Sequence, residues 1–170
     1  LPAVAQQHLD HVSSQVSAAA ELLTCPHQRE GASRISAEMD NVRAALDYAI
    51  RARRLRAISA ILRSLLWYWI PRGQFTEGET WASRALRIVP DEGDEASRAA
   101  ILDVAGWLRM MAGDWAGALP YFQACRPIYQ SLGREREAAM ALMTEGITET
   151  ASTGEEEASA KVDTALRVFR

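Results

Sequence analysis

Apolar residues recur at three- and four-residue spacing along almost the whole chain, the pattern of helices that each bury one face. Because that period hardly changes from end to end, helix boundaries are read from the breakers. They divide the sequence into eight predicted helices, at about 4–24, 34–53, 55–71, 75–89, 95–112, 115–131, 135–152 and 155–169. Gly73, Gly113 and Gly154 sit in tight turns, where glycine supplies the positive φ that ends a helix, and Asp114 is suited to cap the helix that follows. Longer polar joints at 90–95 and 131–135 alternate with these turns. This alternation predicts four helical hairpins side by side, each burying one face within itself and the other against its neighbour.

A second periodicity lies over the first. At an offset of forty residues, Leu22, Leu62, Leu102 and Leu142 share one column, and Ala45, Ala85, Cys125 and Ala165 share another. Val42, Ala82, Phe122 and Val162 form a third, and Trp67, Trp107 and Ile147 a fourth. Self-similarity at a fixed period of this length marks stacked repeats. The expected fold is therefore all-α, a right-handed α-solenoid of about four helical hairpins. Residues 1–53 are expected to form an atypical N-terminal hairpin, a cap or adaptor, and residues 54–170 the regular repeats continuous with it. Pro26 is expected to end the first helix early and leave a long loop at 25–33. Pro120 and Pro127 fall inside the sixth predicted helix, which should be bent or locally broken, since each removes a backbone donor and crowds the preceding turn.

Composition narrows the functional classes. Nearly half of the 170 residues are apolar, dominated by alanine and leucine, which is ample for a core and favours helix over strand. The net charge is −3, so no global field draws the chain to nucleic acid or an anionic membrane. The longest apolar stretch, 58–70, is interrupted by Ser59, Arg63 and Ser64 and is too short to span a bilayer. Cys25 and Cys125 stand in unrelated contexts without a CxxC pair, which suits a reduced, cytoplasmic chain. The start at Leu1 and the end at Arg170 directly after a helical pattern suggest a piece of a longer protein.

The internal pattern of the unit identifies the kind of repeat. Leu102, Gly106, Gly113, Ala118 and Phe122 stand at the spacings where a tetratricopeptide hairpin has large apolar, small, turn, small and aromatic residues. Leu62, Gly73, Gly78, Ala85 and Pro90 repeat the pattern, as do Leu142, Gly146, Ala158 and Ala165. Small residues suit points where two helices cross closely. A narrower likeness runs through 36–49, where Glu38, Asp40 and Asn41 precede Arg43, Ala44, Ala45 and Leu46, and continues in 66–69, 73–81 and 84–86. Over residues 34–170 the chain resembles the tetratricopeptide-like region of bacterial signal-transducing ATPases, among them LuxR-type and antibiotic-regulatory transcriptional activators. That resemblance implies a sensor or interaction arm whose ATPase and DNA-binding domains lie elsewhere. No GxxxxGK[ST] loop is present, so the chain is not expected to hold ATP by that route.

In such hairpins the first helix lines a concave groove, and its inward positions follow from the register. They are Arg63, Trp67 and Ile70 in the second unit, Asp103, Trp107 and Met110 in the third, and Met143 and Ile147 in the fourth. An aromatic and methionine stripe of this kind would grip an amphipathic helix or an extended apolar segment of a protein or peptide partner, or a small effector, with Arg63 and Asp103 setting direction. The same register also suits Trp67 and Trp107 as core between hairpins. Arg51, Arg53, Arg54 and Arg56 form a dense basic cluster near a helix end, where capping and solvation account for it without direct nucleic-acid binding. His8 and His11 lie one turn apart but lack further ligands, and Glu155, Glu156 and Glu157 suit a helix N-terminus. Glu38, Asp40 and Asp47 have no histidine partner, so no catalytic residue, metal or cofactor is expected. A homo-oligomer assembled through exposed repeat ends is the alternative to a ligand-binding arm.

Overall fold

Eight α-helices follow one another in the computed structural model, which describes residues 2–90, 94–153 and 157–169. They are α1 (Pro2–Glu21), α2 (Gln28–Arg51), α3 (Leu55–Trp69), α4 (Phe75–Leu86), α5 (Glu95–Met111), α6 (Trp115–Ser131), α7 (Glu135–Thr153) and α8 (Glu157–Leu166). Short 3-10 turns continue α1 through Thr24, α3 through Arg72 and α8 through Phe169. No strand occurs among the described residues, so the chain is all-α. The expected turn glycine, Gly154, and the acidic pair Glu155 and Glu156 lie outside the described residues.

Every helix packs against the next in sequence, because connections this short keep consecutive helices side by side. Contacts also run from α1 to α3, from α3 to α5 and from α2 to α4. One apolar cluster extends from Leu9 and Val16 on α1 through Leu46, Leu62 and Trp69 to Ile101 and Leu108 on α5. A second joins α5, α6 and α7 through Ala99, Met110, Phe122, Cys125, Tyr129 and Ala141, and Trp107 packs against both. The small-residue column of the forty-residue pattern is buried at all four positions: Ala45, Ala85, Cys125 and Ala165 are each 0% exposed. Glycine serves the same close approach elsewhere. A Cβ at Gly78 would stand 2.7 Å from Leu108 Cδ1 and from Trp69 Cε3, and one at Gly106 would stand 2.8 Å from Phe122 Cε1.

One termination motif recurs. Gly73 (φ 64°), Gly113 (φ 89°) and Gly133 (φ 67°) are left-handed, and the residue after each donates its N–H to a carbonyl five residues back. The bonds are Gln74 to Trp69 at 3.1 Å, Asp114 to Arg109 at 3.0 Å and Arg134 to Tyr129 at 2.9 Å. This is the Schellman arrangement, which satisfies carbonyls left open at a helix C-terminus. After α2 the same motif forms with Arg53 in the left-handed position (φ 52°) and Arg54 N–H bonded to Ala49 O at 2.8 Å. Asp94 and Asp114 cap α5 and α6, their carboxylates accepting from Ser97 N at 3.2 Å and Gly117 N at 2.9 Å.

Two expectations are corrected. The loop at 25–33 shrinks to residues 25–27, because α2 begins at Gln28. Gly31 lies inside α2 at its crossing with α1: a Cβ there would lie 2.6 Å from Ala19 O and 2.8 Å from Leu22 Cβ, so its absence lets α2 close on α1. Nor do Pro120 and Pro127 break α6, which is helical from Trp115 to Ser131. They stand two turns apart on one exposed face, and Ala116 and Gln123, whose carbonyls lose their donors, are exposed as well. Water can satisfy those carbonyls, so neither proline strands a buried polar group.

Candidate functional site

The odd-numbered helices α3, α5 and α7 open onto a shared cavity of about 490 Å³. Arg63, Leu66 and Trp67 come from α3, and Asp103, Val104 and Trp107 from α5. Arg136, Glu137 and Met140 come from α7, and Phe169 from the 3-10 turn after α8. On each helix the lining residues are spaced by three or four, which places them on one face.

Trp67 and Trp107 form the aromatic floor, with ring centroids 6.2 Å apart and planes inclined at 52°. Trp107 is held from behind by Phe122, 6.3 Å away and edge-on at 84°, within the range of favourable aromatic pairs. The two tryptophans therefore differ. Trp107 is half-buried between two core clusters, whereas Trp67 is 47% exposed.

Asp103 lies half-buried beside them and accepts a hydrogen bond from the Trp107 indole N–H. Burial pushes its carboxyl up to about 6 against the favourable field of Arg63 and the indole bond, and Glu137 adds a smaller push in the same direction. Arg63 and Arg136 are exposed, and neither has an ion-pair or hydrogen-bond partner among the described residues. Glu137 pairs only loosely with Arg134, at 3.8 Å. A second depression of about 360 Å³ shares Arg63 and extends the groove past Ser59, Ser97 and Arg134. Ser59 donates to Ser97 there at 3.2 Å.

Of the eight residues expected to line the groove, Arg63, Trp67, Asp103 and Trp107 meet at this cavity. Ile70 is half-buried and packs on the larger core cluster. Met110 is 5% exposed within the second cluster and accepts from the Thr148 hydroxyl at 3.7 Å, so it faces the core rather than the groove. Met143 is half-buried and Ile147 38% exposed; on α7 they continue the stripe of Arg136 and Met140 beyond the cavity. Thr148 of α7 touches Met110 of α5, and the cavity is lined by the first two turns of α7 instead of by Met143 and Ile147. Sequence reasoning missed Arg136, Glu137 and Met140 for this reason, and Phe169 because nothing local signals its return to the groove.

The remaining candidates are tied into the scaffold. Arg51 pairs with Asp47 at 2.8 Å, Arg53 donates to Ile88 O at 2.9 Å, and Arg56 lies 3.7 Å from Asp94. Arg43 bridges Asp40 on its own helix, at 2.9 Å, and Glu77 on α4, at 2.7 Å. Asn41 donates to Glu38 at 2.7 Å, so the acidic segment of α2 is an ion network on the surface. Arg84 holds the Asp47 carboxyl below its ordinary value through a 2.5 Å hydrogen bond. Glu145, buried on α7, pairs with Arg126 of α6 at 2.6 Å, a link that the apolar periodicity conceals. Burial raises the Cys125 thiol, which donates to Phe122 O at 3.4 Å and is no nucleophile. Among the described residues no three His, Cys, Asp or Glu converge as a metal site, and His8 and His11 are exposed. No helix of the described residues is long and apolar enough to cross a membrane. The cavity thus presents a half-exposed aromatic floor, two guanidinium groups that make no ion pair or hydrogen bond among the described residues, and one half-buried carboxyl. No protein-family model matches the chain, and no curated protein matches its sequence.

Proposed function

We propose that the chain is a non-catalytic, tetratricopeptide-like interaction module that binds a protein, peptide or small effector in the groove formed by α3, α5 and α7. On this reading it is the sensor arm of a cytoplasmic bacterial transcriptional regulator, with ATPase and DNA-binding domains elsewhere in a longer polypeptide. The observation that carries the reading is the 47% exposure of Trp67 beside Trp107 in a cavity flanked by unpaired Arg63 and Arg136. An exposed tryptophan forfeits part of its transfer free energy, and unpaired arginines around it supply the direction that apolar contact lacks. The succession of contacts α1 on α3 and α3 on α5 supports a hairpin stack, since repeats touch through their equivalent helices. Ligand contacts would act by shifting the population of arm conformations docked on the ATPase core.

The test is a reporter assay in the parent regulator carrying Trp67→Ala or Arg63→Ala. Helicity should be retained and effector-dependent transcription lost. Unchanged switching in both variants counts against the reading, and loss of helicity in Trp67→Ala assigns that ring to the core. A second reading, self-assembly, draws on Leu166, Val168 and Phe169, all exposed on the last turns. Light scattering separates the two, because a strict monomer removes the second.

A further inference from the structure

Resting on the groove reading above, we infer that its ligand is an acidic peptide presenting one aromatic side chain, and that the chain's own Phe169 occupies the aromatic subsite until that peptide displaces it. The first argument is charge. The molecule as a whole carries −3, yet the groove and its extension hold Arg56, Arg63, Arg134 and Arg136 against Asp94, Asp103 and Glu137. The groove with its extension thus carries one net positive charge on an acidic protein, most of it from the extension. Its two cations beside the tryptophans, Arg63 on α3 and Arg136 on α7, make no ion pair or hydrogen bond among the described residues, although Arg63 lies within the field of Asp103, whereas Arg56 and Arg134 already face carboxylates. A guanidinium on each wall presents donors to carboxylates arriving from the open side, and such charge-assisted bonds are the strong ones. A basic segment would meet these two charges unscreened.

The second argument is the ring already present. Phe169 returns from the turn after α8 to form part of the cavity wall that Trp67, Trp107 and Met140 share, so an aromatic ring already stands at the rim of this subsite. Phe169 is nonetheless 38% exposed, a shallow seat that leaves much of its apolar area in water. A ring delivered by a peptide that also satisfies Arg63 and Arg136 has an additional source of free energy and competes effectively with it. The contact is intramolecular, so it sets a threshold for weaker ligands without an additional domain.

Fluorescence anisotropy of a short labelled acidic peptide with one central phenylalanine, titrated with the full chain at two ionic strengths, tests this. Two further peptides replace its acids by lysine or its phenylalanine by alanine. The acidic phenylalanine peptide should bind, weaken with salt, and lose about tenfold in affinity when its ring is removed. Arg63→Glu and Arg136→Glu, exposed positions that leave the core intact by circular dichroism, should each cost about tenfold or more. Phe169→Ala should strengthen binding severalfold. Equal or tighter binding of the lysine peptide, or indifference to both charge reversals, overturns the ligand class while leaving the groove in place, provided that binding still depends on Trp67. Unchanged or weaker binding by Phe169→Ala overturns the displacement, as does self-association that disappears in that variant, since a second copy would then be the occupant. If no peptide of any charge binds, both the ligand class and the groove reading fall.

Discussion

Asp103→Asn isolates the electrostatic strain in the groove. The Asp103 carboxyl is raised from an ordinary 3.8 to about 6, chiefly by burial. The folded chain therefore holds a proton on this group between pH 4 and 6 that the unfolded chain has released. Stability contributed here is greatest below about pH 4, declines as pH rises through the window, and levels off above about 6 at a deficit. A shift of about two units corresponds to about 3 kcal/mol. Solvent at the half-buried site reduces the expected gain to about 1–2 kcal/mol, the attraction of Arg63 being already contained in the net shift. Asparagine has nearly the same shape, and its carbonyl can still accept from the Trp107 indole. The groups that face Asp103 are Arg63 from α3, Glu137 from α7, and Cys125 and Tyr129 from α6, and burial keeps the last two from titrating in this range. Urea unfolding followed by circular dichroism at pH 4 and pH 7.5 should show variant and wild type nearly equal at the lower pH and the variant more stable at the higher. Taking the difference between the two chains cancels other carboxylates, including Asp47, whose lowered value makes stability fall in the acid direction. An equal offset at both pH values, or a variant less stable at pH 7.5, would refute the reasoning.

Four further substitutions test the packing and the turns. Gly78→Ala and Gly106→Ala each gain about 1 kcal/mol of helix propensity. Because the new methyl would meet Leu108 and Trp69, or Phe122, at 2.7–2.8 Å, a net loss of about 1–3 kcal/mol is expected in urea unfolding, and a net gain would show that the core yields. Arg53→Gly relieves a left-handed arginine, worth about 1 kcal/mol, but loses the bond to Ile88 O, so its melting temperature should stay near that of wild type. Arg53→Ala loses the bond and keeps the backbone cost, and should melt measurably lower.

Much of the architecture is legible in the chain because its determinants are local. Gly73 and Gly113 end helices through their own φ, Asp114 caps α6 three residues from its partner, and the small-residue column at 45, 85, 125 and 165 is uniformly buried. Helical periodicity thus determines which face of each helix turns inward and where most helices stop. It does not determine how far one helix slides along the next. Gly31, in the stretch expected to be loop, serves as a crossing point of α2 with α1, and Arg53 takes a left-handed turn that glycine ordinarily fills. Met110 shares its stripe with Trp107 yet touches Thr148 of α7, and the cavity is lined by Arg136 and Met140 instead of by Met143 and Ile147. Spacing along a sequence carries rotation about the helix axis but not translation between axes. The placement of Phe169 beside the cavity, the meeting of Arg63 and Arg136 across it, and the burial of Asp103 all depend on that translation, and only the tertiary structure decided them.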